Sequence, residues 1–413
     1  KRATMARVGA RSHRLLASLP PMAFGGRLER LRASMRASRC DALLVSNVVN
    51  VRYLTGFSGS TAQLVVLAGS AHLVTDGRYE VQAKEELGRA GTMAEVHAAP
   101  AVGQSDLLAE LFRDVEALGL EADHVSWAGQ RRFKKGWARA KLLVPTTGLV
   151  EKLRERKDEG EVARVAAAAA VADEALAAVE GILSGRVSEV EVAAALEAEM
   201  RRLGAEGPAF ETIVASGPNG ALPHHSPSPK RLRAGELVVV DFGAWVEGYR
   251  SDMTRTLRRP SEGRELPAEL RRISDVVLAS QDAGLAAVRE GALCSEVDRA
   301  CREVVEAAGL GPFFVHGTGH GVGLEVHEAP WLAGPSTDIL SSGQVVTVEP
   351  GVYVPGLGGA RSEDTVRVTE AGCEVLTLAP KQSLFDDGPR SARRQTGPAP
   401  RRRPPRRRAG PGG

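Results

Sequence analysis

Residues 238–256 read VVVDFGAWVEGYRSDMTRT, and the placement of two aspartates in this stretch decides the fold. Val238–Val240 are consecutive apolar, β-branched residues, the pattern of a buried strand. Asp241 follows them directly, so it sits in or at the end of that strand. A reversal near Val246–Gly248 returns the chain antiparallel through Asp252. An odd separation across such a hairpin puts both carboxylates on one face, opposite one another. Two like charges at that distance repel strongly unless a cation lies between them. The alternative, a pair of exposed turn acids, conflicts with LVVVDF, which is too apolar to lie in water.

Residues 345–370, VVTVEPGVYVPGLGGARSEDTVRVTE, repeat the device. Glu349 ends an apolar run, Pro355–Gly359 supplies the turn, and Glu363 lies in the returning strand. Arg361, two residues earlier, shares the face of Glu363. Four acids on two buried hairpins imply a cation site more readily than four unrelated surface charges. Between the hairpins, residues 316–328 read HGTGHGVGLEVHE. A lone histidine in a strand is usually structural, but here His316, His320 and His327 crowd one Gly-rich segment. Glycines on both sides of His320 let its backbone approach a ligand closely. The spacing is not that of an HExxH helix. The residues thus describe a carboxylate-rich site with one or more histidines, suited to two hard or borderline ions.

Farther out, the pattern is that of a two-domain chain. Helical spacing at Arg27–Ser38 precedes strand-like runs at Ala42–Ser46, Gln63–Leu67 and Ala71–Thr75. Helices at Tyr79–Arg89 and Gln104–Leu118 and a strand at Lys141–Pro145 complete an α/β unit. Residues 151–160, EKLRERKDEG, read as a charged connector into a long Ala-rich helix. A helix at Ser188–Leu203 and a strand at Thr212–Ser216 follow. The expected division is a basic extension over 1–27, domains over 28–150 and 151–384, and a disordered Arg/Pro-rich tail over 385–413. The extension reads as unstructured, and Met5 is a candidate start.

The net charge of +3 conceals an acidic body. Residues 1–27 carry six Lys/Arg and 389–413 carry nine Arg, neither with an acid, which leaves 28–388 at −12. Such a body lacks the clustered cations that duplex binding needs. The Arg-rich tail alone could touch RNA, but that reading leaves the buried acids unexplained, and no nucleic-acid partner is expected. Cys40, Cys294, Cys301 and Cys373 form no CxxC pair and read as reduced thiols of a cytoplasmic protein. The longest apolar run, Val162–Leu183, is broken by Asp173, Glu174 and Glu180, so no membrane span is expected. The apolar stretch from Leu15 is cut by Pro20-Pro21, a poor secretory signal.

The blocks DFG…SDMTRT, HGTGHGVGLEVHE, VEPGVY and RSEDT together resemble the pita-bread metallopeptidases: methionine aminopeptidase, aminopeptidase P, prolidase and creatinase. VRYLTGFSGS at 51–60 resembles a landmark of the creatinase-like N-terminal domain, and the likeness covers about residues 28–380. It implies an α/β (α+β) chain, a pita-bread catalytic domain preceded by a smaller α/β creatinase-like domain. It further implies that Asp252 and Glu363 bridge two metals, with Asp241 completing one shell and His320 and Glu349 the other. His224, seventeen positions before Asp241, matches a substrate-binding or proton-shuttling histidine. His316, His327 and Arg361 match residues around the substrate and the metal-bound oxygen, His225 has no match, and Glu349 is the choice for proton transfer from water to the leaving proline nitrogen.

Five retained ligands argue against creatinase and against a non-catalytic pita-bread binding module. The N-terminal domain argues against methionine aminopeptidase. The resemblance leaves an Xaa-Pro aminopeptidase, with an Xaa-Pro dipeptidase (prolidase) as the alternative. The aminopeptidase is preferred because no second cation in the motifs offers itself to a dipeptide's carboxylate. Four carboxylates and one imidazole favour two Mn²⁺ per chain, with Co²⁺ or Zn²⁺ able to substitute. Proline-containing peptides are the expected substrates and a homodimer the expected assembly, loops around Asn47–Gly59 of a partner narrowing the cleft.

Overall fold

In the computed structural model the described residues are 9–139, 141–258 and 266–381. The tail expected over 385–413 and the first eight residues lie outside them.

The N-terminal half is built on one six-stranded sheet: β1 (Ala42–Val45), β2 (Gln63–Leu67), β3 (Ala71–Thr75), β4 (Glu95–Ala98), β5 (Ala117–Glu121) and β6 (Leu142–Thr146), in the order β4-β3-β2-β1-β5-β6. β1–β2 and β2–β3 are antiparallel; β3–β4, β1–β5 and β5–β6 are parallel. Alternation of side chains feeds two cores. Leu43, Val45, Leu64 and Val66 meet Leu31 and Met35 of helix Arg27–Ala37 on one face. Ala42, Leu44 and Val65 meet Leu108 of helix Ala101–Leu111 on the other. The helix expected over Gln104–Leu118 therefore stops at Leu111, and 117–121 is a strand. Its ALGLE continues the leucine spacing of the helix, and only pairing between β1 and β6 selects the extended form.

Residues 151–160 do not form a solvated connector. Arg154 and Lys157 are buried and pair with buried Glu328 at 2.6 and 2.5 Å, and Arg154 also reaches Asn50 of the N-terminal half at 2.9 Å. An apolar cluster runs across the same seam, from Leu31 and Tyr53 through Val162 and Val165 to Leu324 and Val345. Asp158 and Glu161 then form a reciprocal capping box that starts helix Glu159–Val179. Its consecutive alanines 167–170 are fully buried, small enough for neighbours to pack directly on the helix.

The segment from residue 9, expected as part of an unstructured extension, carries helix Ala10–Leu16. Arg11 pairs with Asp173 at 2.7 Å, Ser12 bonds Glu174, and Leu15 and Leu16 pack on the adjoining core. Arg11 supplies the cation that fits this segment to the acidic positions Asp173 and Glu174 of helix Glu159–Val179.

The C-terminal half places helices Glu159–Val179, Glu189–Arg202, Ala268–Ala287 and Cys294–Ala307 around antiparallel strands. β8 (Ile213–Ser216), β9 (Leu237–Phe242) and β12 (Met253–Arg258) form one sheet, with β9 central. β7 (Gly207–Pro208), β10 (Ala244–Val246) and β11 (Tyr249–Arg250) extend it as a small ribbon. β13 (Gly319–Gly321), β14 (Glu328–Leu332), β15 (Val345–Val348), β18 (Asp364–Thr369) and β19 (Gly372–Val375) form the second large sheet, in the order β14-β13-β15-β18-β19. The hairpin β16 (Gly351–Val354)–β17 (Gly358–Arg361) projects from it. The two large sheets meet where Glu363 N–H donates to Thr254 O at 3.1 Å and Thr365 Oγ1 donates to Asp252 O at 2.7 Å.

Candidate metal centre

That seam brings the acids together. β9 and β12 pair Asp241 with Thr254, and the turn closes between Val246 and Tyr249, as the sequence suggests. Asp252 shares the face of Asp241 but lies across from Gly243, one step diagonal rather than directly opposite. In the second hairpin, Val348 pairs with Asp364 and Gly351 with Arg361, so Glu349 and Glu363 fall opposite one another. His320 comes from β13. The glycines flanking it serve strand packing rather than ligand approach. A Cβ on Gly319 would stand 2.1 Å from Thr347 O, and one on Gly321 2.2 Å from Ala329 O.

Ligand atoms of Asp241, Asp252 and Glu363 lie within 4.8 Å of one another, as do those of His320, Glu349 and Glu363, and of Asp252, His320 and His327. His320 Nδ1 lies 2.9 Å from Gly321 O and must carry the proton, because a carbonyl only accepts. Its Nε2 faces Glu349 Oε1 at 3.3 Å and Asp252 Oδ2 at 3.7 Å; burial opposes a second proton there, but the bond to Glu349 raises the His320 pKa, and this nitrogen is the one a metal would take in the proton's place. Asp241 Oδ1 is buried and has no hydrogen-bond partner among the described residues. Burial, reinforced by the neighbouring acids, pushes Asp252 and Glu363 well above the usual carboxylate range. Burial opposes ionisation of Glu349 as well, but its bond to His320 prevails and holds it at about 2. An imidazole nitrogen turned to two acids, an orphaned carboxylate oxygen and acids that resist joint ionisation all fit a divalent pair.

Arg361 is on the face of Glu363, as its spacing indicates, and it lines the cavity while bracing the acids. Its Nη2 donates to Asp241 Oδ2 at 2.6 Å, Nε to Thr254 Oγ1 at 3.0 Å, and Nη1 to Tyr353 Oη at 2.8 Å and Pro223 O at 3.3 Å. Tyr353 continues the chain to His316 Nε2 at 2.8 Å, while His316 Nδ1 donates to Gly317 O at 2.7 Å. Burial depresses the pKa of His316 and lifts that of Tyr353 to about 12, so this relay is neutral at its outer end. His224 and His327 are exposed at the rim, the latter with its ring 4.4 Å from that of His320. Together these residues line a cavity of about 350 Å³ whose apolar wall includes Phe210, Ile213, Pro223 and Trp331.

His225, which no motif accounts for, bonds Glu189 at 2.9 Å instead of facing the cavity. Glu189 is fully buried and also accepts from Ser216, Asn219 and Ser228, fixing the loop that carries His224. The sequence conceals this residue, because a Glu after Ser188 reads as a first-turn helix acid. Tyr353 lies within the VEPGVY block, and only the register that sets it against Gly359, two residues from Arg361, marks it as the link between Arg361 and His316.

Metallopeptidase family M24 matches residues 163–370, and the creatinase/prolidase N-terminal domain matches 27–156. The chain belongs to metallopeptidase family M24. The Xaa-Pro dipeptidase of Pyrococcus furiosus is 36% identical over 87% of this chain and 99% of its own. A solved Xaa-Pro dipeptidase from Bacillus anthracis is 37% identical with a TM-score of 0.81, over 87% of this chain and 99% of that one. The X-Pro aminopeptidase of Thermotoga maritima is 35% identical with a TM-score of 0.77, over 85% and 99%. As an M24 peptidase the chain is a metal-dependent hydrolase, with the pita-bread architecture and creatinase-like N-terminal domain that its motifs indicate. Among the described residues no helix is long and apolar enough to cross a membrane.

Proposed function

We propose that the chain is an Xaa-Pro dipeptidase whose centre holds two divalent ions, Mn²⁺ by its oxygen-rich donor set. The observation that carries this reading is the likeness, over both domains, to Xaa-Pro dipeptidases at 36–37% identity. It favours the dipeptide over the longer substrate preferred from the motifs alone. With Arg361 engaged by Asp241 and Tyr353, the rim histidines His224 and His327 are the groups most open to a substrate carboxylate.

Asp241, Asp252, His320, Glu349 and Glu363 would hold the ions. The bound ions would supply an acidified water and polarise the scissile carbonyl. Glu349 moves the proton from the water to the proline nitrogen, which must be protonated to leave. The Xaa–Pro bond is a tertiary amide with no N–H to recognise, so ring shape must do that work. Phe210, Ile213 and Trp331 offer an apolar wall for it. His316, held by Tyr353, and the rim residues His224 and His327 orient the substrate carbonyl and carboxylate. We assign the protein to the cytoplasm because its four cysteines are unpaired. The family resemblance further supports a homodimer.

Initial rates on Ala-Pro and Ala-Pro-Ala, measured side by side with the Mn²⁺-loaded protein, test the substrate. Faster cleavage of Ala-Pro is expected. Cleavage of Ala-Pro-Ala with Ala-Pro left intact would make the protein an aminopeptidase.

A further inference from the structure

A second group of ligand-type side chains lies on the N-terminal sheet, in the other half of the molecule. β4 is an edge strand paired parallel to β3, in a register that sets Glu95 against His72 and His97 against Val74. Residues 95 and 97 are two apart, so all three side chains project from one face of the sheet.

Their atoms converge. His72 Nδ1 lies 3.1 Å from His97 Nε2, and Glu95 Oε2 lies 3.5 Å from the first and 3.8 Å from the second. A tetrahedral ion with Zn–N bonds of about 2.0–2.1 Å separates adjacent donors by roughly 3.3–3.4 Å. The observed triangle needs only small rotations to match those edges. We propose that His72, Glu95 and His97 form a binding site for a zinc-type divalent ion, separate from the dinuclear centre.

The surroundings favour this over a chance histidine pair. Ser70 Oγ lies 2.9 Å from His72 Nε2 and can accept its proton, which leaves the Nδ1 lone pair directed at the site. The two imidazoles are mostly buried, at 14% and 21% exposure, while Glu95 is 67% exposed and free to swing inward. Two imidazoles and one carboxylate suit Zn²⁺ better than Mn²⁺, and water would complete the fourth position. The bound ion would also tie the edge strand to its neighbour, because its ligands come from both.

Zinc binding by the full-length, Mn²⁺-loaded protein is the test, with H72N/H97N and E95Q beside the wild type. Two readouts are bound zinc per chain after equilibrium dialysis and hydrogen exchange of residues 95–98. The wild type should bind one zinc ion more per chain than H72N/H97N, and zinc should slow exchange across 95–98 only where the site is intact. E95Q should bind that ion about tenfold or more weakly, in line with the loss of one ligand. Equal zinc content in wild type and double variant, with no change in exchange, overturns the proposal. Should the double variant not fold, E95Q still decides: zinc affinity equal to the wild type overturns it.

Discussion

Arg361 shows how a residue's partners decide its role. Every nitrogen of its guanidinium donates to Asp241, Thr254, Tyr353 or Pro223, so it braces the centre from the cavity wall. The histidines divide on the same principle. His320 is buried with Nε2 turned to two acids, whereas His224 and His327 stand exposed at the rim. H320A should therefore abolish activity and lower metal content. H224A and H327A should keep the metal and lose on the order of a hundredfold in turnover, the usual scale for a positioned proton-transfer or orienting group. Elemental analysis beside kinetics separates the two classes. Equal metal loss in all three variants would refute the division.

At the scale of elements, the hairpins were legible because a buried apolar strand and an odd acid spacing leave few alternatives. β5 was not, because its leucines prolong a helical pattern and only the sheet on both sides selects a strand. The anchoring of the loop after β8 was equally hidden, since Glu189 meets partners up to 39 residues away. That anchor makes a pH prediction. Burial opposes ionisation of Glu189, but bonds from Ser216, Ser228 and His225 prevail and hold it at about 2, against an ordinary 4.5. A depressed carboxylate stabilises the fold above its ordinary pKa and loses that contribution as pH falls towards its folded value. E189Q should therefore cost about 3 kcal/mol at neutral pH, and its deficit against wild type should shrink below pH 4.5. Urea midpoints at pH 7, 4.5 and 3.5 check this. A deficit that stays constant with pH would assign the effect to shape alone. Turnover of E189Q should also fall, because the loop that carries His224 loses its hold.

For the whole molecule, the seam and the centre raise one question: what keeps buried charge tolerable. At the seam the answer is internal, since Glu328 has both Arg154 and Lys157. R154A removes one cation from a buried network and should destabilise by about 3–5 kcal/mol. R154M, which keeps the volume, should cost no more. At the centre Arg361 pairs with Asp241, and His320, its pKa raised by the bond to Glu349, faces Glu349 and Asp252; two cationic groups do not balance four acids, and bound ions supply the remainder. Without ions, Asp252 and Glu363 have folded pKa values raised by burial and mutual repulsion. Such groups contribute stability only when protonated, and that contribution is lost as pH rises through their folded values. Chelator-treated protein should accordingly be less stable than Mn²⁺-loaded protein, by about 2.7 kcal/mol per site at a hundredfold excess over Kd. The gap should be widest near neutral pH and close as the pH is lowered, because protonation both relieves the repulsion and displaces the ions. Melting curves with and without chelator at pH 7.5 and pH 5 read this directly. Curves that superimpose at pH 7.5, together with peptidase activity unaffected by chelator, would mean that the four acids are balanced by something other than metal.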